Sequence, residues 1–292
     1  KTREGRPIKM AGNPDSKISG SGLSPIDEAS VLDLYDTDRL RGPVKDGNLT
    51  SWDTLDNDVK SQLEQIKSKG GSVRILSHTI MSPTLKKAAG EFLGQVAGGQ
   101  HVTFYALSVS ALAKAHEVAF GSRMIPSYHF DKATQIVAIN CDFLGPWLNS
   151  EGFTHDYMLN RDPDKPMSRH LHFESGMSIT GAKADMRFPV NPSQEAGLVL
   201  NLYNKLASEL NKPRLRGVES FEVAGNGIEL AAKELKNHQG NSLVVCGTND
   251  VATQIVVAAI NQMLGNYGKT INHDNKYHYF QGDDEAFESL VK

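Results

Sequence analysis

The sequence has few cysteines, little net charge and no long apolar run. Cys141 and Cys246 are its only two cysteines, too few for a disulfide framework or a cluster site built from thiolates. The formal net charge of −3 creates no global field that favours nucleic acid or an anionic membrane surface. Apolar runs such as 254–260 fall short of the roughly 20 residues of a membrane-spanning helix. We therefore expect a folded, soluble protein that binds no nucleic acid and does not insert directly into a membrane.

The organisation of the chain changes near residue 51. The preceding part contains turn-forming pairs such as Asn13-Pro14 and Gly42-Pro43, which interrupt long helices and strands. The start, Lys1-Thr-Arg-Glu-Gly5, has neither an initiator methionine nor a signal-like segment, so we expect a piece of a longer protein. We predict a loop-rich segment at 1–50, a first α/β lobe at 51–165 and a second α/β lobe at 166–292.

From residue 51 onward, strand-like and helix-like segments alternate. Apolar runs predict strands at 73–76, 101–105, 135–140, 170–174 and 242–246. Periodic apolar spacing and capping residues predict helices at 57–69, from 82, and at 109–120, 192–210, 227–237 and 251–264. This order predicts an α/β fold with a mostly parallel, doubly wound, Rossmann-like sheet in three layers. Such sheets bind ligands beyond the carboxyl ends of their strands.

The one metal-like pattern is His170-x-His172-x-Glu174. On a strand, the alternation of side chains places all three on one face, which could hold a divalent ion. The pattern also suits an exposed or partly buried polar strand face, or histidines packed under a neighbouring loop. We favour these interpretations because no fourth ligand is evident. Gly247-Thr-Asn-Asp250 could bind an anion at a helix start, although Asp250 is more simply a helix cap.

Several segments, read in order, resemble the molybdopterin oxidoreductase superfamily. They span nearly the whole chain and are Gly5-Arg-Pro-Ile-Lys9, Gly12-Asn-Pro14, Ser19-Gly-Ser-Gly-Leu23, Leu34-Tyr-Asp36, Asp38-Arg-Leu40, Ala182-Lys-Ala-Asp185 and Ile260-Asn-x-x-Leu264-Gly-Asn266. Further segments resemble one branch, the cofactor-free N-terminal half of the large periplasmic iron–sulfur/molybdopterin-like subunit of bacterial alternative complex III. These are Met81-Ser-Pro-Thr84, Asp142-Phe-Leu-Gly-x-Trp147, Met167-Ser-Arg-His170, Phe173-Glu-Ser175 and Thr180-Gly-Ala-x-Ala-Asp185.

The resemblance also shows where this chain departs from active relatives. Ser24 stands at the fourth cysteine of their [4Fe–4S] cluster, and a neutral hydroxyl is a poor ligand for iron. In the region of their molybdenum ligand only Ser122, Ser127 and Asp131 are available. Glu174-Ser-Gly176 replaces the Asp-Pro-Arg that holds the guanine nucleotide, and Ser193 replaces the glycine of a Pro-Gly-Thr-Asp loop. The resemblance therefore implies that the molybdopterin and cluster sites are lost.

From the resemblance we expect a non-catalytic scaffold in a quinol-oxidising respiratory complex, with no catalytic residue and no cofactor in this fragment. Its expected partners are the iron–sulfur half of the same subunit and the haem-containing and membrane subunits. The expected location is the periplasmic face of a bacterial inner membrane, peripheral through those subunits. Two alternatives remain: a divergent molybdopterin-dependent oxidoreductase that binds its cofactor through Ser127 or Asp131, and a small-ligand module that uses the loops at 174–185 and 247–250.

Overall fold

The computed structural model describes residues 1–218 and 226–292. These residues form two compact units, each built from segments that are separate in sequence. The first unit comprises Lys1–Met10, Pro25–Ala106 and Gln281–Lys292, and the second comprises Ala11–Ser24 and Leu107–Phe280. The predicted lobes at 51–165 and 166–292, and the segment 1–50, stay a prediction.

The first unit combines two short hairpins with a helix–strand alternation. Its elements are β1 (Thr2–Arg3), β2 (Arg6–Pro7), α1 (Pro25–Ala29), a 3₁₀ helix (Ser30–Leu34), β3 (Val44–Lys45), β4 (Asn48–Leu49), α2 (Trp52–Ser68), β5 (Arg74–Ser77), α3 (Pro83–Gly94), β6 (Gln100–Thr103) and a C-terminal helix (Asp284–Val291). Strands β5 and β6 pair in parallel. Helix α2 begins at residue 52, earlier than predicted, because the Ser51 side chain accepts a hydrogen bond from the Thr54 amide.

The second unit holds the larger sheet. Its elements are α4 (Ser110–Phe120), β7 (Ile125–Tyr128), a 3₁₀ turn (Phe130–Lys132), β8 (Gln135–Ile139), α5 (Ser150–Leu159), β9 (Arg169–Glu174), α6 (Ile179–Lys183), β10 (Met186–Pro189), a 3₁₀ turn (Pro192–Gln194), α7 (Glu195–Glu209), α8 (Gly227–Asn237), β11 (Ser242–Cys246), α9 (Val251–Met263) and β12 (Ile271–Tyr277). Four strands form a parallel sheet in the order β10-β9-β8-β11. Strands β7 and β12 form a separate antiparallel pair.

Alternate residues along the sheet strands enter two different apolar clusters. Val137 and Ile139 pack with residues of α7, α8 and α9, whereas Ile136 and Ala138 pack with residues of α4, α5 and β7. Every residue of β8 and of β11 is buried, which is the pattern of a parallel sheet covered on both faces. The prediction of a mixed α/β fold with a parallel sheet is confirmed.

Candidate functional site

The candidate site is the edge of the four-stranded sheet where its strands end. Because β8, β9, β10 and β11 run in parallel, their carboxyl ends meet at one edge, the usual position of ligands in such sheets. The connections that leave this edge are residues 140–149, 175–178, 190–191 and 247–250. They include 247–250 and the first part of 174–185, the two loops that the small-ligand alternative uses.

Glu174, the last residue of β9, is buried at this edge with a side chain only 3% exposed. Its carboxylate accepts hydrogen bonds from Nε of Arg187 at 2.6 Å and from the amide of Ser178 at 3.1 Å. Burial by itself raises the pKa of Glu174, but the bonds from Ser178 and Arg187 outweigh it and hold the pKa below its ordinary value. The carboxylate is therefore ionised and already satisfied by groups of the chain itself.

The two histidines of β9 continue from Glu174 as a buried row. Nε2 of His170 lies 3.2 Å from Nδ1 of His172, and Nε2 of His172 lies 3.2 Å from Oε2 of Glu174, although the second contact lacks hydrogen-bond geometry. Burial lowers the pKa of His170 to about 3 and lowers that of His172. The predicted common face is confirmed. The side chains follow one another along the strand, and within the described ranges the group of three ligand atoms close enough to share an ion lies elsewhere.

Two more carboxylates lie on the connections at this edge. Oδ1 of Asp142, just after β8, accepts hydrogen bonds from the amide and the hydroxyl of Thr180 at 3.0 and 2.6 Å. Oε2 of Glu195, the first residue of α7, accepts from the Thr248 hydroxyl at 2.6 Å and from Nδ2 of Asn140 at 3.2 Å. With Glu174, they make an edge lined by acidic groups that bind neighbouring loops to one another.

Two of the helices that start at this edge, α6 and α9, use their first amides for their own caps. The Ser178 hydroxyl accepts from the Gly181 amide at 2.9 Å at the start of α6. Asp250 accepts from the amide and hydroxyl of Thr253 at 2.7 and 2.6 Å at the start of α9, so the predicted cap is confirmed. An added Cβ on Gly247 would overlap the carbonyl oxygen of Asn140, so this glycine allows the close approach of two loops of the chain.

The remaining predicted residues are spread over several elements. Ser24 is half-buried and directly precedes α1, whereas Ser193 is exposed in the 3₁₀ turn after β10. Ser127 lies on β7, where its hydroxyl donates to the Asn272 carbonyl oxygen at 3.4 Å. Asp131 lies in the turn after β7. Of this set, Glu174 ends a strand of the sheet and Ser193 lies four residues after the end of β10. The roles assigned to all of these residues stay predictions.

Both cysteines are buried and free. They enter opposite apolar clusters, Cys246 with α7 and α9 and Cys141 with β7 and α5. Burial raises the pKa of Cys141 and raises that of Cys246 to about 11, so neither is a thiolate at neutral pH.

One group of potential metal ligands has no recognisable pattern in the sequence. One ligand atom each from His129, Asp131 and Asp156 lies within 4.8 Å of the others, and all three residues are half-buried. His129 and Asp131 belong to the turn after β7, whereas Asp156 lies on α5. The pattern has no regular spacing, so only the packing of α5 against the turn could reveal it.

Comparisons with known proteins find similarity both in sequence and in solved structure. No protein-family model matches the chain. The chain is 24% identical over 209 residues to the menaquinone reductase, molybdopterin-binding-like subunit of Nitratidesulfovibrio vulgaris, covering 70% of this chain and 30% of that protein. It also resembles the solved structure of acetylene hydratase from Pelobacter acetylenicus, with a TM-score of 0.64, 14% identity, and coverage of 88% of this chain and 40% of that one. The chain thus spans less than half the length of each.

Together, these similarities support the molybdopterin-oxidoreductase-like relationship that the ordered motifs predicted. Its mixed α/β fold with a parallel sheet is similar to the fold of acetylene hydratase. The similarity in sequence is to the molybdopterin-binding-like subunit of a menaquinone reductase. In the described part of the chain, no helix is both long and apolar enough to cross a bilayer.

Proposed function

We propose that this chain is a non-catalytic, molybdopterin-oxidoreductase-like scaffold domain of a quinone-linked respiratory complex. The finer architecture that we propose is a doubly wound, three-layer sheet. The side chains of β8 and β11 enter the two apolar clusters alternately, which supports this architecture, because both faces of the sheet must then be covered by helices. In this role the domain supplies packing surface, and electron transfer belongs to other parts of the complex.

The main support for the proposal is the acidic edge of the sheet. A dinucleotide form of molybdopterin has phosphate groups, and a phosphate is normally held at helix N-termini and by backbone amides. Here Asp142, Glu174 and Glu195 occupy that edge, and the cap groups Ser178 and Asp250 occupy the first amides of α6 and α9. A phosphate would have to displace these bonds and lie beside negative charge. These residues do not fit the cofactor, so we propose that the pterin site is lost.

The proposed loss of the iron–sulfur cluster depends on Ser24, because a hydroxyl is a poor substitute for a thiolate on iron. We propose the iron–sulfur half of the same subunit, and the haem-containing and membrane subunits of alternative complex III, as partners. The supporting observations are the branch-specific motifs and the relative's place in a menaquinone reductase. A periplasmic position, peripheral to the inner membrane, is part of the same proposal.

The test is elemental and pterin analysis of the intact complex purified from its native membrane. Molybdenum and tungsten are measured by inductively coupled plasma mass spectrometry, and pterin by fluorescence after oxidative release. A molybdopterin enzyme purified from the same cells is the positive control. We expect neither metal nor pterin in stoichiometric amounts in the complex. Stoichiometric molybdenum or tungsten with pterin would overturn the proposal. Viologen-dependent reduction lost in Ser127→Ala or Asp131→Ala would then support the divergent-enzyme alternative.

A further inference from the structure

The turn after β7 holds two potential metal ligands in a fixed position. His129 and Asp131 flank Phe130, which is fully buried and stacks on Phe143 with ring centroids 4.2 Å apart. The His129 amide donates to the Thr270 carbonyl oxygen at 2.8 Å. The turn is thus anchored at its central ring and at its backbone, and the two polar side chains keep their places beside it.

Helix α5 brings the third ligand and is fastened to the same turn. Asp156 lies one turn after Phe153, whose ring packs 4.9 Å from that of Phe130. One turn further on, Nδ2 of Asn160 donates to the carbonyl oxygens of Phe130 and Asp131 at 3.2 and 2.5 Å. Contacts on both sides of Asp156 therefore fix its distance from the turn, which is the preorganisation that a metal site requires.

The cluster contains buried polar atoms that the chain leaves unsatisfied. Within the described residues, Oδ1 of Asp131 and Nε2 of His129 are buried without a hydrogen-bond partner. Nδ1 of His129 is 3.8 Å from Oδ1 of Asp131, too far for a hydrogen bond. Two ligands bound to one tetrahedral Zn²⁺ are separated by roughly 3.4 Å. An unsatisfied carboxylate oxygen in such a position calls for an explanation, and an ion supplies one.

The charges around the cluster favour a cation. Two carboxylates and one imidazole face one another, and the pKa of Asp156 is raised by burial and by the charge of Asp131. His155, beside Asp156, places Nδ1 3.3 Å from its Oδ1, as partners of ligating carboxylates commonly do. The opposing charge is Lys132, which lowers the pKa of His129 less than burial does and whose side chain is exposed. A divalent ion would offset the repulsion between Asp131 and Asp156.

We propose that His129, Asp131 and Asp156 form a binding site for a divalent transition-metal ion that fastens the turn after β7 to α5. One imidazole nitrogen and two carboxylate oxygens suit Zn²⁺ or Mn²⁺, and water completes the coordination. In this proposal, the bound ion stabilises the second unit. The site does not require the scaffold proposal to be right. Only the divergent-enzyme alternative competes with it, because there Asp131 would bind the cofactor instead of this ion.

The experiment measures Zn²⁺ and Mn²⁺ binding to the chain without a histidine tag, by titration calorimetry and by metal analysis after dialysis. We expect one saturable site per chain and a higher melting temperature with metal than with chelator. His129→Gln, Asp131→Asn and Asp156→Asn should each abolish the saturable phase. The positioning variant His155→Gln should weaken affinity by about 10- to 100-fold. Circular dichroism verifies that each variant is folded, as expected for near-isosteric changes at half-buried positions.

The control variant is His278→Gln, which removes an exposed histidine outside the cluster and should bind metal as the unaltered chain does. Two results would overturn the proposal. One is the absence of a saturable phase with either metal. The other is saturable metal binding that survives in the folded His129 and Asp156 variants. If binding were then lost in His172→Gln alone, the ion would be assigned to β9.

Discussion

Two buried histidines predict that the second unit loses stability in mild acid. His116 and His170 are 3% and 0% exposed. Nδ1 of His116 lies 2.9 Å from the Leu112 carbonyl oxygen, while His170 lies in the row along β9. Burial lowers the pKa of His116 from 6.5 to about 4 and that of His170 from 6.5 to about 3. Both are therefore neutral in the folded chain at a pH where the unfolded chain holds the proton.

The sign and size of the effect follow from proton linkage. A lowered histidine pKa contributes stability that is complete above the unfolded pKa of 6.5 and declines as pH falls toward the folded value. Within that window, each such histidine lowers the free energy of unfolding by about 1.4 kcal/mol for each unit by which the pH falls. Between about pH 7.5 and about pH 5, the free energy of unfolding should fall by about 2 kcal/mol for each of the two. His172, whose pKa is also lowered mainly by burial, acts in the same direction.

The assay is urea unfolding across this pH range, followed by the fluorescence of Trp147, which is buried in the second unit. His170→Gln removes one titrating group, so the fall in unfolding free energy should shrink by about 2 kcal/mol, whatever the variant's stability at neutral pH. His278→Gln, at an exposed position, should keep the full fall. An unchanged pH dependence in His170→Gln would refute the assignment of the acid sensitivity to burial of this ring.

Two further predictions concern the acidic edge of the sheet. Gly181→Ala should destabilise the second unit by about 1–3 kcal/mol in urea unfolding, because the new Cβ would overlap Oε1 of Glu174. The control is Gly90→Ala in α3, which should be tolerated because a Cβ there meets nothing within 4 Å. Equal stability of the two variants would contradict the close contact between Gly181 and Glu174. Arg187→Met should lower the free energy of unfolding by about 3 kcal/mol, because it leaves the Glu174 carboxylate buried without its cation. The same variant should unfold in acid at a higher pH than the unaltered chain. A variant as stable as the unaltered chain would show that the ion pair between Arg187 and Glu174 contributes nothing to stability.

Local signals explain which elements could be predicted. The strand at 242–246 and the helix at 227–237 match β11 and α8, and the caps Ser82 and Asp250 act as expected. These depend on hydrogen bonds and apolar periodicity among near neighbours in the chain. The antiparallel pair β7–β12 joins residues more than a hundred positions apart, and it was missed. Helix α5 was also missed, since glycine, polar and aromatic residues within 150–159 hide its apolar face.

The sequence by itself determined the α/β class, the buried strands and the resemblance to molybdopterin oxidoreductases. The common face of His170, His172 and Glu174 also follows from strand alternation alone. Only the tertiary structure decided what those side chains do, because Arg187 and Ser178 satisfy Glu174 from neighbouring segments. It alone brought His129 and Asp131 to Asp156. The physical reason is that a strand or cap depends on adjacent residues, whereas a site depends on which distant segments pack together.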